Sequence, residues 1–552
     1  MKRKLLLPLW VLCLAGGNSI AQTAFPASAV LNINNIDVMV SVHGDICRDP
    51  VTGHGHCAVP SGSGKNIASA GALWMSGYDG ANMLHVAAQT YRQAGNDYWP
   101  GPLDASGALD YATSQNWARV WAVTRDDISM FKAMYAAGTA TGTNTPPVIW
   151  EWPAKGNPHA KGNGGVGLTI TDDMAPFKDV NGDGLYNPED GDYPDVPGDQ
   201  NVWWVFSDNG PVHSQTNGQP LKVEVHALAL AFKRWSELDN IVFFQYDVVN
   251  KSANTYKNFR LGQFADMDLG APGDDYIGCD TARGLGIVYN GGASDAIYGN
   301  NMPLAGMVVR MHSPSTPLGG MGNFIYFNND ASATGQPVTP VEYDNYLRSK
   351  FKDGIHIVSD FAGPGVPSSG HGSGDPVNFV FSGNPADHTS WSECNSGNTP
   401  GDRKIVMSTP DFQFNAGETI SMTTMIITTD LLPNNACSAT GPDFGPLKHI
   451  SDAAVSVYDS HFRVAAAVAN TEAASTIRMY PNPASNTLYV ENAGNSNGKE
   501  RVFVYNTLGQ LMNVPFAKDG QKLVADISGL PVGLYQAVYQ ADEVITIKFV
   551  KE

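Results

Sequence analysis

Between residues 202 and 310, apolar and polar positions follow one another in short runs broken by turn residues. The runs read VWWVFSD, KVEVHALALAFKRW, NIVFFQYDVVNKS, NFRLGQFADMD and RGLGIVYNG. A period of two puts alternate side chains on one face of a strand. Several such runs at this spacing predict a β-sandwich. Strands return in DRKIVMSTPDFQFNAGETISMTTMIITTD, residues 402–430. Upstream, VLNINNIDVMVSV reads as a strand that leads into a long Gly- and His-rich loop. GALWMSGYDGANMLHVAAQTY, residues 71–91, predicts two strands around a turn at Asp79-Gly80.

The helical period is rarer. VTRDDISMFKAMYAAG, residues 123–138, is the best case. Thr124 is placed to cap it, with Asp127 three residues on. Ile128, Phe131 and Tyr135 fall along one face, and Gly138 stops it. A helical turn is expected near 341–351, and an amphipathic helix at 450–469. The last 77 or so residues return to tightly spaced short strands, which predict one small sandwich.

Composition supports this pattern. Only 16% of residues are charged, while Gly (58) and Pro (35) are abundant. Long helices draw on Ala, Leu, Glu and Lys, whereas turns draw on Gly, Pro and Asn. The expected fold class is all-β with few short helices: one or more large sandwich regions, then a small immunoglobulin-like sandwich. The expected boundaries are 1–21, 22–200, 201–470 and 471–552.

The first 21 residues carry Lys2, Arg3 and Lys4, then an apolar core, then Ser19 and Ala21 at the small positions of a cleavage site. This predicts a secretory signal. No other apolar run is long enough to span a membrane as a helix. The formal charge is −19, and loss of the signal makes it more negative. That excludes nucleic acid as a partner, because a phosphate backbone demands a basic footprint. It suits divalent cations. An exported chain can form disulfides. Cys47 with Cys57 is the first expectation, Cys394 with Cys437 the second, and Cys279 is left over.

The C-terminal motifs MYPNPASNTLYVEN, VFVYNTLGQLM and LPVGLYQAVYQ, and the terminal KFVKE, resemble the C-terminal sorting domain of type IX secretion cargo. The matching residues are Pro481-Asn482-Pro483, the YNTLGQ segment at 505–510, Gly533-Leu534-Tyr535, Lys548 and Lys551. The resemblance implies recognition by the type IX machinery at the outer membrane and passage to the cell surface. It often implies removal of the domain and attachment to surface lipopolysaccharide. The preceding region is similar to secreted proteins that commonly carry this domain, on phrases such as WARVWAVTRDDI and FADMDLGAPGDDYIGCDTARGLGIVYNG. That likeness implies no particular activity.

The acids are the main candidate chemistry. DVNGDGLYNPED, residues 179–190, fits a calcium loop of the form D-x-[DN]-x-[DN]-G-x5-[DE]. Asp179, Asn181 and Asp183 take positions 1, 3 and 5, with Gly184 at the turn. Leu185 offers its carbonyl at 7, Asn187 stands at 9 and Asp190 at 12. Asp192 and Asp195 offer further oxygens. Crowded carboxylates repel unless a cation neutralises them. A second constellation, Asp266, Asp268, Asp274, Asp275 and Asp280, also predicts Ca2+. The alternative is a carboxylate pair, Asp266 and Asp268, for glycoside hydrolysis.

Other signals are weaker. His54-Gly-His56-Cys57 lacks a second ligand pair for zinc. PSGSGKN at 60–66 lacks the first Gly of a phosphate loop. No HExxH, GxSxG or Walker motif occurs. The pairs Trp74/Tyr78, Tyr98/Trp99, Trp117/Trp121, Trp150/Trp152 and Trp203/Trp204 read as core before they read as sugar platforms. The expectation is a secreted, surface-displayed, calcium-stabilised protein with a binding, adhesive or structural role toward a glycan or protein. The alternative is an extracellular hydrolase of glycans.

Overall fold

A computed structural model describes residues 28–552, apart from 93–94, 235, 313–319, 434–436, 438–441, 463–476, 493–500, 507–510, 513, 521 and 541–543. The expected secretory signal at 1–21 lies outside the described residues. The chain divides into two compact units, residues 1–458 and 459–552.

Two antiparallel sheets form the frame of the first unit. The larger runs in the order Asp275–Asp280, Leu285–Asn290, Ala305–His312, Thr419–Thr428, Ile241–Asn250, Val223–Ala231 and Gln200–Ser207. Trp99–Pro100 and Trp121–Thr124 both pair with the last of these. The smaller sheet runs Asn323–Asn328, Arg403–Ser408, Tyr256–Asp266, Ala70–Tyr78 and Leu84–Ala88, and Phe412–Phe414 joins Tyr256–Asp266. One apolar core lies between the two sheets. Thr424 of the larger sheet donates to Gln263 Oε1 of the smaller across it, at 3.2 Å.

The run VWWVF departs from simple alternation because both its faces are covered. Trp204 and Phe206 enter the inter-sheet core. Trp203 points the other way and meets Trp121 at 5.7 Å and Trp152 at 6.4 Å. Trp121 is the cross-strand neighbour of Trp203, and the segment around Trp152 covers the outer face of the larger sheet there. Stretches 22–200 and 201–470 interleave, since Ala70–Tyr78 pairs with Tyr256–Asp266. The expectation of an all-β fold with few short helices holds.

The expected helix is present as Arg125–Ala136. Thr124 and Asp127 form the reciprocal capping box, and Phe131 is buried. A second capping box, Thr339 with Glu342, opens the helix Pro340–Leu347. The helix expected at 450–469 overlaps the observed Gly445–Val457, and residues 463–469 lie outside the described residues.

The second unit pairs two four-stranded sheets over a core that includes Leu488, Val504, Ala525, Ala537 and Phe549. The Pro-Asn-Pro motif has a clear task there. Asn482 Oδ1 accepts the Val550 amide at 2.9 Å, and the Ala484 amide donates to the Val550 carbonyl at 2.8 Å. The motif thus fastens the terminal strand. Tyr535 stacks on Phe549 at 5.5 Å. The last four residues of the YNTLGQ segment, 507–510, lie outside the described residues.

Candidate functional site

The loop from Asp179 is built of Asx turns. Asp179 accepts the Gly182 amide at 2.6 Å and the Gly184 amide at 2.8 Å. The Gly184 bond, first among several, holds its carboxyl below the usual range. Asn181 Oδ1 accepts the Asp183 amide, and Asp183 Oδ1 accepts the Leu185 amide. Gly184 has φ +78, a conformation that a side chain would strain.

The far end of the loop differs from the sequence register. Asn187 and Asp190 face each other, with the Asn187 amide donating to Asp190 at 2.8 Å. Together they close the turn Pro188–Asp190. Asp192 is the acid turned inward, fully buried, accepting from Val180 at 2.8 Å and Asn187 at 2.9 Å. Burial raises its pKa against those hydrogen bonds, and the charges of Asp179 and Asp183 add to the rise. Among the described residues, no ion pair reaches Asp179, Asp183 or Asp192. Among the described residues, only Asp266, Asp268 and Asp402 bring three acidic ligand oxygens within 4.8 Å of one another, so those of Asp179, Asp183 and Asp192 do not meet at one point. With Asn181, these three are the residues that could hold an oxygen-loving cation if the loop drew them in.

The second constellation is scattered by the fold. Asp266 and Asp268 gather with Asp402, one oxygen from each lying within 4.8 Å of the others. They sit at one end of the smaller sheet, where Asp266 is cross-strand partner to both Ala70 and Lys404. Asp266 accepts from the Tyr91 hydroxyl at 2.6 Å, and Asp268 from Ser69 at 2.5 Å. The Arg48 guanidinium lies over the Tyr91 ring at 5.0 Å.

Lys404 settles the chemistry of this cluster. It is 2% exposed, its Nζ is 3.3 Å from Asp266 Oδ1, and it also pairs with Asp402. Burial, with the charges of Asp266 and Asp402, pushes Asp268 up to about 7. Lys404 and a proton retained on Asp268 thus offset two of the three acidic charges. The three acids bring one oxygen each to a spacing that could hold a metal ion, and the Lys404 ammonium already stands among those oxygens.

The remaining acids go elsewhere. Asp275 begins a strand, accepts the Leu269 amide at 2.9 Å and is raised well above its usual pKa by burial. Asp274 is raised too, by burial and by Asp295. Asp280 ends that same strand, about 17 Å away at 3.3 Å per residue. Burial opposes its ionisation, but the Arg283 amide and the charges of Lys448 and Arg283 keep its pKa low. The five acids cannot share one ion.

Of the cysteines, Cys394 and Cys437 form a disulfide with Cα atoms 5.7 Å apart. Cys47 and Cys57, expected to pair, are instead buried free thiols. They lie side by side, and contact with Cys57 together with burial raises the Cys47 pKa. Cys279 is also free and buried. His56 binds Asp37 at 2.9 Å, so the His-rich loop serves the fold. Of the aromatic pairs, Trp74, Tyr98, Trp121, Trp152, Trp203 and Trp204 are fully buried. Trp150 is half-buried at a surface cleft with Tyr135 and His159. No sequence signal groups those three residues, because they come from separate loops and helix ends.

Comparison with known proteins decides the C-terminal unit. Residues 478–552 match the family model of the secretion system C-terminal sorting domain. This chain is type IX secretion cargo. The sorting domain directs such cargo through the type IX machinery to the cell surface, where the protein is secreted and attached. Among the described residues no helix is long and apolar enough to cross a membrane. No curated protein matches the chain. A solved polysaccharide lyase aligns with 59% of this cargo chain at 8% identity and a TM-score of 0.19. The cargo spans about a third of that structure, 34% of its length. A likeness that slight carries no argument about fold or activity.

Proposed function

We propose that this surface-displayed cargo holds Ca2+ in the loop 179–192 and acts by binding. Its role is adhesive or structural, toward a glycan or protein ligand outside the cell. The observation that carries the calcium reading is Asp192, a buried carboxylate that feels the charges of Asp179 and Asp183 and has no basic partner among the described residues. The loop ties down the segment between the helix Arg125–Ala136 and the larger sheet, so the ion stabilises rather than reacts. Loss of the sorting domain and attachment to lipopolysaccharide complete the reading, and the mass of the surface-extracted protein checks them.

Binding is favoured over hydrolysis by the state of the acid pair. Asp266 and Asp268 are 5% and 8% exposed, and tied to Tyr91, Lys404 and Ser69. A glycosidase pair must flank a sugar and a water. The test is thermal melting of the chain in millimolar calcium and in EDTA, beside glycosidase assays. Calcium should raise the melting temperature, because a ligand of the folded state stabilises it. An unchanged melt would sink the calcium reading. Turnover that vanishes in a folded Asp266→Asn variant would replace binding with catalysis.

A further inference from the structure

We propose that the cleft at Tyr135, Trp150, His159 and Glu189 binds a neutral saccharide chain. The proposal rests on the binding role above and names its ligand class. Two depressions adjoin here, of about 520 and 290 Å3, and they share Gly142, Trp150 and His159. Each is close to or within the range of small-molecule sites, roughly 300–1,000 Å3. Their junction at Trp150 suits a ligand longer than one ring.

Trp150 is held for contact. Its indole N–H donates to the Thr145 hydroxyl. The His159 ring meets it edge-on at 5.0 Å between centroids. Its carbonyl accepts the Asn157 amide at 2.9 Å. A side chain fixed beforehand loses little freedom on binding. Trp152, two residues on and past the end of the short helix Pro147–Trp150, is fully buried, whereas Trp150 stays half-exposed at the cleft.

Tyr135 also forms part of the cleft wall and is 41% exposed. It rests on Gly191, where φ is +94 and a Cβ would stand 2.6 Å from the ring. The end of the acidic loop therefore seats this wall, and Pro188 and Glu189 of the same loop line it.

The polar groups select the ligand class. Glu189 is exposed in one depression, 3.4 Å from His159 Nε2. Lys161 and Glu151 lie 3.4 Å apart in the other, and Arg119 also pairs with Glu151. Opposite charges stand close together, so no single-sign field selects a charged ligand. A pyranose presents C–H bonds on its face and hydroxyls around its rim. Aromatic faces match the first, and carboxylate and ammonium groups match the second. An extended peptide would be recognised by adding to a strand edge. The lining residues instead come from helix ends and loops.

The test is titration of the full chain, in calcium, with cello-, manno-, xylo- and chito-hexaose, read by calorimetry and tryptophan fluorescence. At least one should bind with a submillimolar Kd. Trp150→Ala and Tyr135→Ala should each weaken it about tenfold or more, with melting unchanged. Trp150→Phe should restore part of the binding, and Tyr111→Ala, an exposed aromatic outside the cleft, should not alter it. Absence of binding by all four overturns the proposal. So does binding that survives Trp150→Ala within about twofold, or a cleft that takes unstructured peptides and no hexaose. Calcium-insensitive melting with intact Trp150-dependent binding would fail the calcium reading alone. The reverse pattern would fail only this inference.

Discussion

Two acid clusters in this protein look alike in sequence and differ in kind. In the loop 179–192, Asp179 and Asp183 are at the surface, Asp192 is buried, and no ion pair reaches them among the described residues. In the cluster Asp266, Asp268 and Asp402, the acids are drawn into one end of a sheet, and Lys404 stands among them. The number of carboxylates does not decide whether a metal is needed. What decides is whether the chain brings its own cation.

The most severe way to break the comparison is to remove that cation. Lys404→Met should cost about 3–5 kcal/mol in denaturant unfolding, since it leaves buried carboxylates unpaired. A variant that regains its stability in millimolar calcium would make the cluster a latent metal site, and the distinction would collapse.

The pH dependence comes next. Asp268 keeps its proton to about 7 in the folded state, against 3.8 ordinarily. Between those values the folded state binds more protons than the unfolded one. Stability from this group therefore falls as pH rises from about 4 to 7, with the full penalty above that. At about 1.4 kcal/mol per unit the upper bound is about 4 kcal/mol. Asp268→Asn should flatten the unfolding free energy over that window. A slope that survives the substitution would assign it to other groups.

Calcium removal follows. At a hundredfold excess over Kd, calcium should add about 2.7 kcal/mol. EDTA should lower the melting temperature accordingly, and Asp179→Ala should abolish that difference while Asp268→Asn leaves it. The smallest effect sharpens the ligand set. Asp190→Asn should change the calcium-dependent shift by less than about 0.5 kcal/mol, whereas Asp192→Asn should remove most of it. Equal losses from both would restore Asp190 to the ion.

Much of the frame was legible in the sequence. The capping box of Thr124 and Asp127 is local, so three residues of spacing suffice to predict it. The hairpin around Asp79-Gly80 and the strands from 202 to 310 follow from alternation and turn chemistry. The Asx turns of Asp179, Asn181 and Asp183 are local as well. Less legible was the side-chain bond by which Asn187 holds Asp190. Nor did the sequence show that a straight strand carries Asp280 away from Asp275.

The sequence by itself determined the strands, the caps, the sorting motifs and the turns that start the acidic loop, because these depend on neighbours within a few residues. Only the tertiary structure decided which acids meet a lysine. Ser69, Tyr91, Asp266, Asp402 and Lys404 are brought together by sheet pairing across more than three hundred positions. The same holds for the cleft, where Tyr135, Trp150, His159 and Glu189 converge from four segments. Electrostatics and stacking act through space over a few ångströms, and the spacing of residues along a chain does not carry those distances.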